Sequence, residues 1–143
     1  MMTQSGVRAG QIAALVYGVV AYVLAVRSLV YLVFFLQNRW VARTVDAPPT
    51  AAPLVVAAID LALLSGFALP HSLLARPRVK DWLARWAPAA LERSPYALVS
   101  GLSLAVFLRF WRPLPLPLWQ VGPGTTAQVL EVAGWGGWLL ALA

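Results

Sequence analysis

The chain has 143 residues, of which 61% are hydrophobic and 11% charged, with a net charge of +6 and no cysteine. A soluble domain carries about a quarter charged residues, so this composition is that of a membrane protein, and the absence of cysteine excludes disulfides, thiolate metal sites and a cysteine nucleophile. The basic residues lie between apolar runs and form no single stripe, which fits topology signals and anionic lipid and argues against nucleic acid; five acidic residues and one histidine are a poor set for a closed metal site.

After a short polar start, the run from Gln11 to Leu36 is interrupted only by Arg27 and Ser28. At about 1.5 Å per residue it exceeds the roughly 30 Å hydrocarbon core of a bilayer. It is about twice as long as a signal-peptide core and ends in no small-x-small cleavage site, so it reads as a retained transmembrane helix over 11–36. The connector that follows holds Arg39, Trp40 and Arg43 and closes on the breaker pair Pro48-Pro49. A second span is predicted over 51–75, with Pro53 in its first turn, where a missing amide proton does no harm. Pro70 cannot donate to the carbonyl of Gly66, which loosens the turn beside His71.

Residues 77–87 are too short and too charged to cross a membrane. Val79, Trp82, Leu83 and Trp86 fall at the i, i+3, i+4, i+7 spacing of an amphipathic helix, with Arg78, Lys80, Asp81 and Arg85 on its other surface. Such a helix lies in the interface plane until Pro88 ends it. Ser94-Pro95 predicts an N-cap and first helical residue, opening a third span over 94–111. Arg112-Pro-Leu-Pro-Leu-Pro-Leu-Trp119 is an extended connector, and Thr125 with Gln128 has the spacing of a capping box at the start of a fourth span over 126–143. That span stays apolar to Ala143 without interfacial anchors, which predicts a chain truncated at its carboxyl end.

The fold expected is therefore all-α: one integral membrane bundle of four transmembrane helices plus one interfacial amphipathic helix. Lysine and arginine counts set its orientation. Arg8, Arg76, Arg78, Lys80, Arg85 and Arg93 lie on one side, against Arg39, Arg43 and Arg112 with Arg109 at the border of the other. The first side is expected to be cytoplasmic, and the amino terminus with it. Arg27 and Asp60 lie at matching depths in consecutive antiparallel spans, about 13 Å from the same face. The spacing predicts an intramembrane ion pair, either a helix clamp or the polar floor of a substrate cavity. Glu131 is expected near Arg109 or Arg112.

The stretch from Leu69 to Tyr96 holds the only histidine and the only lysine. His71 and Ser72, near the cytoplasmic end of the second helix, have either an interfacial hydrogen-bonding role or a chemical one. Arg76, Arg78, Lys80, Arg85 and Arg93 form a cationic patch suited to anionic headgroups or to substrate.

Ser65-Gly66-Phe67-Ala68-Leu69-Pro70-His71-Ser72-Leu73-Leu74-Ala75-Arg76-Pro77, with Lys80, Trp82, Pro88 and Glu92-Arg93-Ser94-x-Tyr96, resembles the amino-terminal half of the bacterial methanethiol S-methyltransferase family. That family is a branch of the NnrU-like and isoprenylcysteine-carboxyl-methyltransferase-like membrane proteins. The resemblance extends to Tyr17-Gly18, the Ala-Ala-Pro before the second helix, Trp111-Arg112-Pro113, Trp119 and the Gly-Trp pairs of the last helix. It implies a multi-pass protein of the bacterial inner membrane that moves a methyl group from S-adenosylmethionine to a small thiol. His71, Ser72, Arg76, Glu92 and Arg93 become its substrate-side candidates.

In such relatives much of the cofactor site lies around an Arg-His-Pro-x-Tyr element and a later Glu-Glu pair. Neither occurs here: His71 stands between Pro70 and Ser72, and no two acidic residues are adjacent. Pro95 also stands where the family pattern has a hydroxyl residue. The implied function is the substrate-side half of a thiol S-methyltransferase-like protein, incomplete for catalysis, with no cofactor-binding residues in this chain. The alternatives are a non-catalytic membrane subunit that docks lipid or a partner through its basic face, and an NnrU-like protein of nitrogen-oxide metabolism.

Overall fold

The computed structural model describes residues 4–48, 51–85, 94–114 and 120–143. The described residues form five helices: α1 (Gln4–Leu36), α2 (Pro53–Leu74), α3 (Pro77–Ala84), α4 (Ser94–Phe110) and α5 (Thr125–Leu142). α1 begins one to two turns before the predicted span, and the other helices begin and end within about three residues of expectation. Prolines set several boundaries: Pro53 opens α2 and Pro77 opens α3, each preceded by an extended residue (Ala52, ψ 145°; Arg76, ψ 136°). α2 continues through Pro70 and closes where the N–H of Ala75 reaches the carbonyl of His71. The predicted capping box of α5 does not form, because Gly124 takes the N-cap position and no side chain caps it.

α1 and α2 are long and apolar enough to cross a membrane. Their outward side chains are apolar yet exposed, as with Leu15 (67%) and Leu54 (82%). A face of this kind suits hydrocarbon better than water, which supports a membrane location. α4 is apolar but shorter, at 17 residues. α5 has 18 residues and none of them is buried.

α1 and α2 pack chiefly on α4, which lies between them. Along α1 the residues turned toward α4 repeat at four and three: Ala21, Ala25, Ser28, Leu32, Phe35. Pairings at Gly18–Ser94, Ala25–Gly101 and Phe35–Leu108 advance together, so α1 and α4 run parallel. α2 runs against both, which brings its end beside the start of α4.

The approach is closest at Gly101, where a Cβ would lie 2.7 Å from Ala25 Cα and 2.8 Å from its nitrogen. Small residues let membrane helices come together in this way. Ser28 Oγ donates to the Gly101 carbonyl at 3.0 Å, tying the seam with a buried hydrogen bond. Toward the far end Phe35, Leu104 and Leu108 make the apolar core, with Phe67, Phe107 and Trp111 packed around it.

The connector after α1 turns through two left-handed residues, Asn38 (φ 53°) and Trp40 (φ 57°). Asparagine tolerates that conformation, and its side chain bonds Asp46 from both ends, Nδ2 to Oδ2 at 2.7 Å and Oδ1 from the Asp46 N–H at 3.2 Å. Tryptophan does not favour it; the ring of Trp40 is held against Phe34 at 5.2 Å and Trp135 of α5 at 6.0 Å. Here α5 also contributes Glu131, whose carboxylate meets Arg39 at 2.6 Å.

Candidate functional site

The antiparallel course of α2 and α4 assembles a polar cluster at the end bearing α3. His71 lies in the last turn of α2, and Phe67, one turn earlier, stacks on its ring at 5.4 Å with an interplanar angle of 26°. From the first turns of α4 come Tyr96 and Ser100, at the i, i+4 spacing that places both on one face. Ser100 Oγ lies 3.2 Å from His71 Nδ1. The Tyr96 hydroxyl is 3.2 Å from Nε2 and 3.4 Å from Nδ1. Two hydroxyls, each able to donate or accept, therefore serve the imidazole in either tautomer. All three side chains are half-buried.

α3 adds positive charge to this cluster through Lys80, whose Nζ lies 6.0 Å from the centre of the Tyr96 ring. At that separation the cation–π attraction is small, and its main effect is a cation on the open side of the cluster. Arg76, Arg78 and Arg85 are exposed on the same elbow. Arg76 is the residue before α3, and no side-chain cap bond is made there.

Of the sequence-predicted site residues, the structure brings His71 together with Tyr96. Ser72 is exposed on the far side of the same turn, and Arg76 is exposed at the elbow; neither bonds to the imidazole. Glu92 and Arg93 lie outside the described residues, as do Trp86, Pro88 and Trp119. Ser100 was not anticipated, although its position one helical turn after Tyr96 is a signal that could have found it.

The predicted Arg27–Asp60 ion pair is absent. α4 stands between α1 and α2, so equal depth in consecutive helices does not bring their side chains together. Asp60, 7% exposed, instead accepts the Arg112 backbone N–H at 2.9 Å through Oδ1, and its Oδ2 is buried with no hydrogen-bond partner among the described residues. Arg27 lines a cavity of about 370 Å³ with Ser28, Tyr31, Arg43 and Arg109. Glu131 pairs with Arg39 instead of Arg109 or Arg112, because α5 meets the connector after α1 and not the end of α4.

No family model and no solved structure matches the chain. Methanethiol S-methyltransferase 2 of Bradyrhizobium diazoefficiens is 37% identical over 135 residues, 93% of this chain and 51% of that protein. The chain is a homologue of the methanethiol S-methyltransferases. The methanethiol S-methyltransferase of Pseudomonas deceptionensis is 36% identical over 94% of this chain and 52% of its own length, and that of Mycobacterium tuberculosis 33% over 90% and 52%. The chain thus spans about half the length of the methanethiol S-methyltransferases it matches. Nurim of Homo sapiens is 41% identical over 79 residues, 55% of this chain and 28% of its own. Similarity to the methyltransferases runs across nearly all of the chain, so it includes α2 and α4, the helices that carry His71, Tyr96 and Ser100.

Proposed function

We propose that this chain is the thiol-binding membrane half of an S-methyltransferase that uses S-adenosylmethionine, with methanethiol as the methyl acceptor. The His71–Tyr96–Ser100 cluster is the observation that carries this reading. Transfer of a methyl group from a sulfonium to a thiol needs no nucleophilic side chain. It needs a thiol that is deprotonated and held in line. His71 takes the thiol proton on a ring nitrogen, as imidazole commonly does in general-base catalysis, and the imidazolium so formed lies beside the thiolate. Tyr96 and Ser100 hold the ring, and Lys80 adds positive charge that favours the anion.

The methyl donor itself does not fit the described residues. Its sulfonium and ammonium call for carboxylates and its own carboxylate for a cation, and the 370 Å³ cavity, lined by three arginines and no acid, meets only the last of these. Asp46 is engaged by Asn38, Asp60 by the Arg112 backbone and Glu131 by Arg39, and Asp81 stands exposed on α3, outside that cavity. The donor therefore belongs to residues beyond these.

The same reading has four spans (α1, α2, α4 and α5) in a bacterial inner membrane, with the amino terminus and α3 cytoplasmic. Support comes from the parallel course of α1 and α4 and from the basic residues gathered around α3.

Two measurements test it. Purified chain is expected to show no saturable binding of labelled S-adenosylmethionine; retained binding would refute the division into thiol and cofactor sides. In cells producing the protein from its natural reading frame, His71→Ala should abolish release of dimethyl sulfide from added methanethiol, whereas Ser72→Ala should leave it near the parent rate. Undiminished release by the His71 variant would remove the thiol site from this cluster.

A further inference from the structure

At the end of the bundle opposite His71, between α1, α4 and the connector after α1, lies the cavity of about 370 Å³ already noted. Its polar lining is Arg27, Arg43 and Arg109 with Ser28 and Tyr31, and its apolar lining includes Leu24, Val106 and Phe110. Both of the neutral polar groups are committed elsewhere, Ser28 Oγ to the Gly101 carbonyl and Tyr31 OH to the Arg43 carbonyl at 3.4 Å.

No acidic side chain among the described residues neutralises these arginines. Arg43 Nη1 donates to the Arg109 carbonyl at 3.2 Å, and the Arg109 guanidinium lies 5.6 Å from the Phe110 ring centre. Neither contact supplies negative charge, and Arg27 makes no ion pair or hydrogen bond among the described residues. The acids of this end point elsewhere: Asp46 to Asn38, Asp60 to the Arg112 backbone, Glu131 to Arg39. Three guanidinium groups around one opening are a strong demand for an anion, and guanidinium matches the geometry of a phosphate oxygen pair.

The position of Arg27 selects among anions. It stands in the apolar stretch of α1 that follows Gln11, several turns before Leu36. Arginines in such segments reach along the helix toward the interface and gather polar headgroups. Arg43 and Arg109 mark that interface, while Leu24, Val106 and Phe110 continue the cavity into the apolar layer. The lining is thus cationic at one level and hydrocarbon-like beside it.

We propose that this cavity binds the phosphate group of an anionic phospholipid, with the three arginines on the phosphate and an acyl chain along Leu24 and Val106. This site lies at the other end of the molecule from the basic elbow around α3 and does not depend on the thiol-site reading.

Native mass spectrometry of the purified chain in detergent tests it, with phosphatidylglycerol, phosphatidylcholine and inorganic phosphate as probes. One phosphatidylglycerol should remain bound per chain at activation energies that strip phosphatidylcholine. Arg27→Gln combined with Arg109→Gln should weaken retention by at least about tenfold. Arg27→Lys with Arg109→Lys, which keeps the charge but loses the fork, should fall between the parent and the glutamine variant, and Arg78→Gln on the elbow should retain the parent level. Helix content by circular dichroism separates lost binding from lost folding. Equal retention of the two lipids, or retention unchanged by the double glutamine variant, would overturn the proposal. Displacement of phosphatidylglycerol by millimolar inorganic phosphate would also overturn it, assigning the site to a free anion.

Discussion

Asp60 Oδ1, on α2, accepts the backbone N–H of Arg112, just past the end of α4, at 2.9 Å. A side-chain acceptor thus satisfies a main-chain donor where the helix gives out and the Leu-Pro repeat begins, and it joins two helices far apart in sequence. Replacing Asp60 by Ala removes the acceptor and leaves that N–H without it. The expected loss is about 1–3 kcal/mol, the usual cost of an orphaned buried donor. Asp60→Asn keeps an acceptor oxygen and should cost less. Thermal unfolding in detergent checks the order Ala worse than Asn. Because Arg27 is not the partner, the losses in Asp60→Ala and Arg27→Ala should add in the double variant; a clear rescue by the second substitution would restore the ion pair.

Gly101 gives a sharper steric test. A Cβ there meets main-chain atoms of Ala25, which no rotamer change relieves, so α1 and α4 must separate. Gly101→Ala should cost about 1–3 kcal/mol, as overpacking typically does, and Gly101→Leu should abolish the folded yield. By contrast Gly66, Gly136 and Gly137 have nothing within 4 Å of a Cβ. Alanine at any of these should be tolerated or mildly stabilising, by up to about 1 kcal/mol, since glycine is a poor helix residue. Melting temperatures of the four alanine variants decide it.

The cluster at His71 predicts coupling between its two hydroxyl partners. Tyr96→Phe and Ser100→Ala each remove one polar contact to the same imidazole, and each should cost about 0.5–1.5 kcal/mol. Either loss frees the ring to reorient, so the double variant should deviate from additivity by about 0.5 kcal/mol or more. Ser103→Ala is the control: its hydroxyl bonds only the Ser100 carbonyl, within the same helix, and should cost less than about 0.5 kcal/mol. Additive losses at Tyr96 and Ser100 would mean that the two do not share His71.

Most helix boundaries were legible in the sequence because prolines and hydrophobic runs are local signals: Pro53 and Pro77 start α2 and α3 as their lack of an N–H requires. Partners across helices were not legible. Spacing along α1 and α2 set Arg27 and Asp60 at matching depth, but whether a third helix stands between two others is a property of packing, and α4 does. Ser100 was missed for a related reason, since a serine in an apolar run gains meaning only when His71 is known to face it. The capping box at Thr125 failed for a local reason: Gly124, one residue earlier, took the cap position itself.

The attachment of α5 leads to the last prediction. None of its residues is buried, and its contacts gather at Arg39–Glu131, Trp135 against Phe34 and Trp40, and Gly134 beside Gln37. Both side chains of the ion pair are nearly half exposed, at 47% and 44%, so in a solvated setting it is worth about 0–1 kcal/mol and weakens with salt. The aromatic contacts carry more, since each ring pair adds about 0.5–1.5 kcal/mol beyond burial. Trp135→Ala should therefore loosen α5 more than Glu131→Gln does, and should also release Trp40 from its left-handed conformation. Limited proteolysis in detergent reads this directly. Cleavage between α4 and α5 should accelerate several-fold in Trp135→Ala, and by less than twofold in Glu131→Gln. The reverse order would make the ion pair, and not the rings, the fastening of α5.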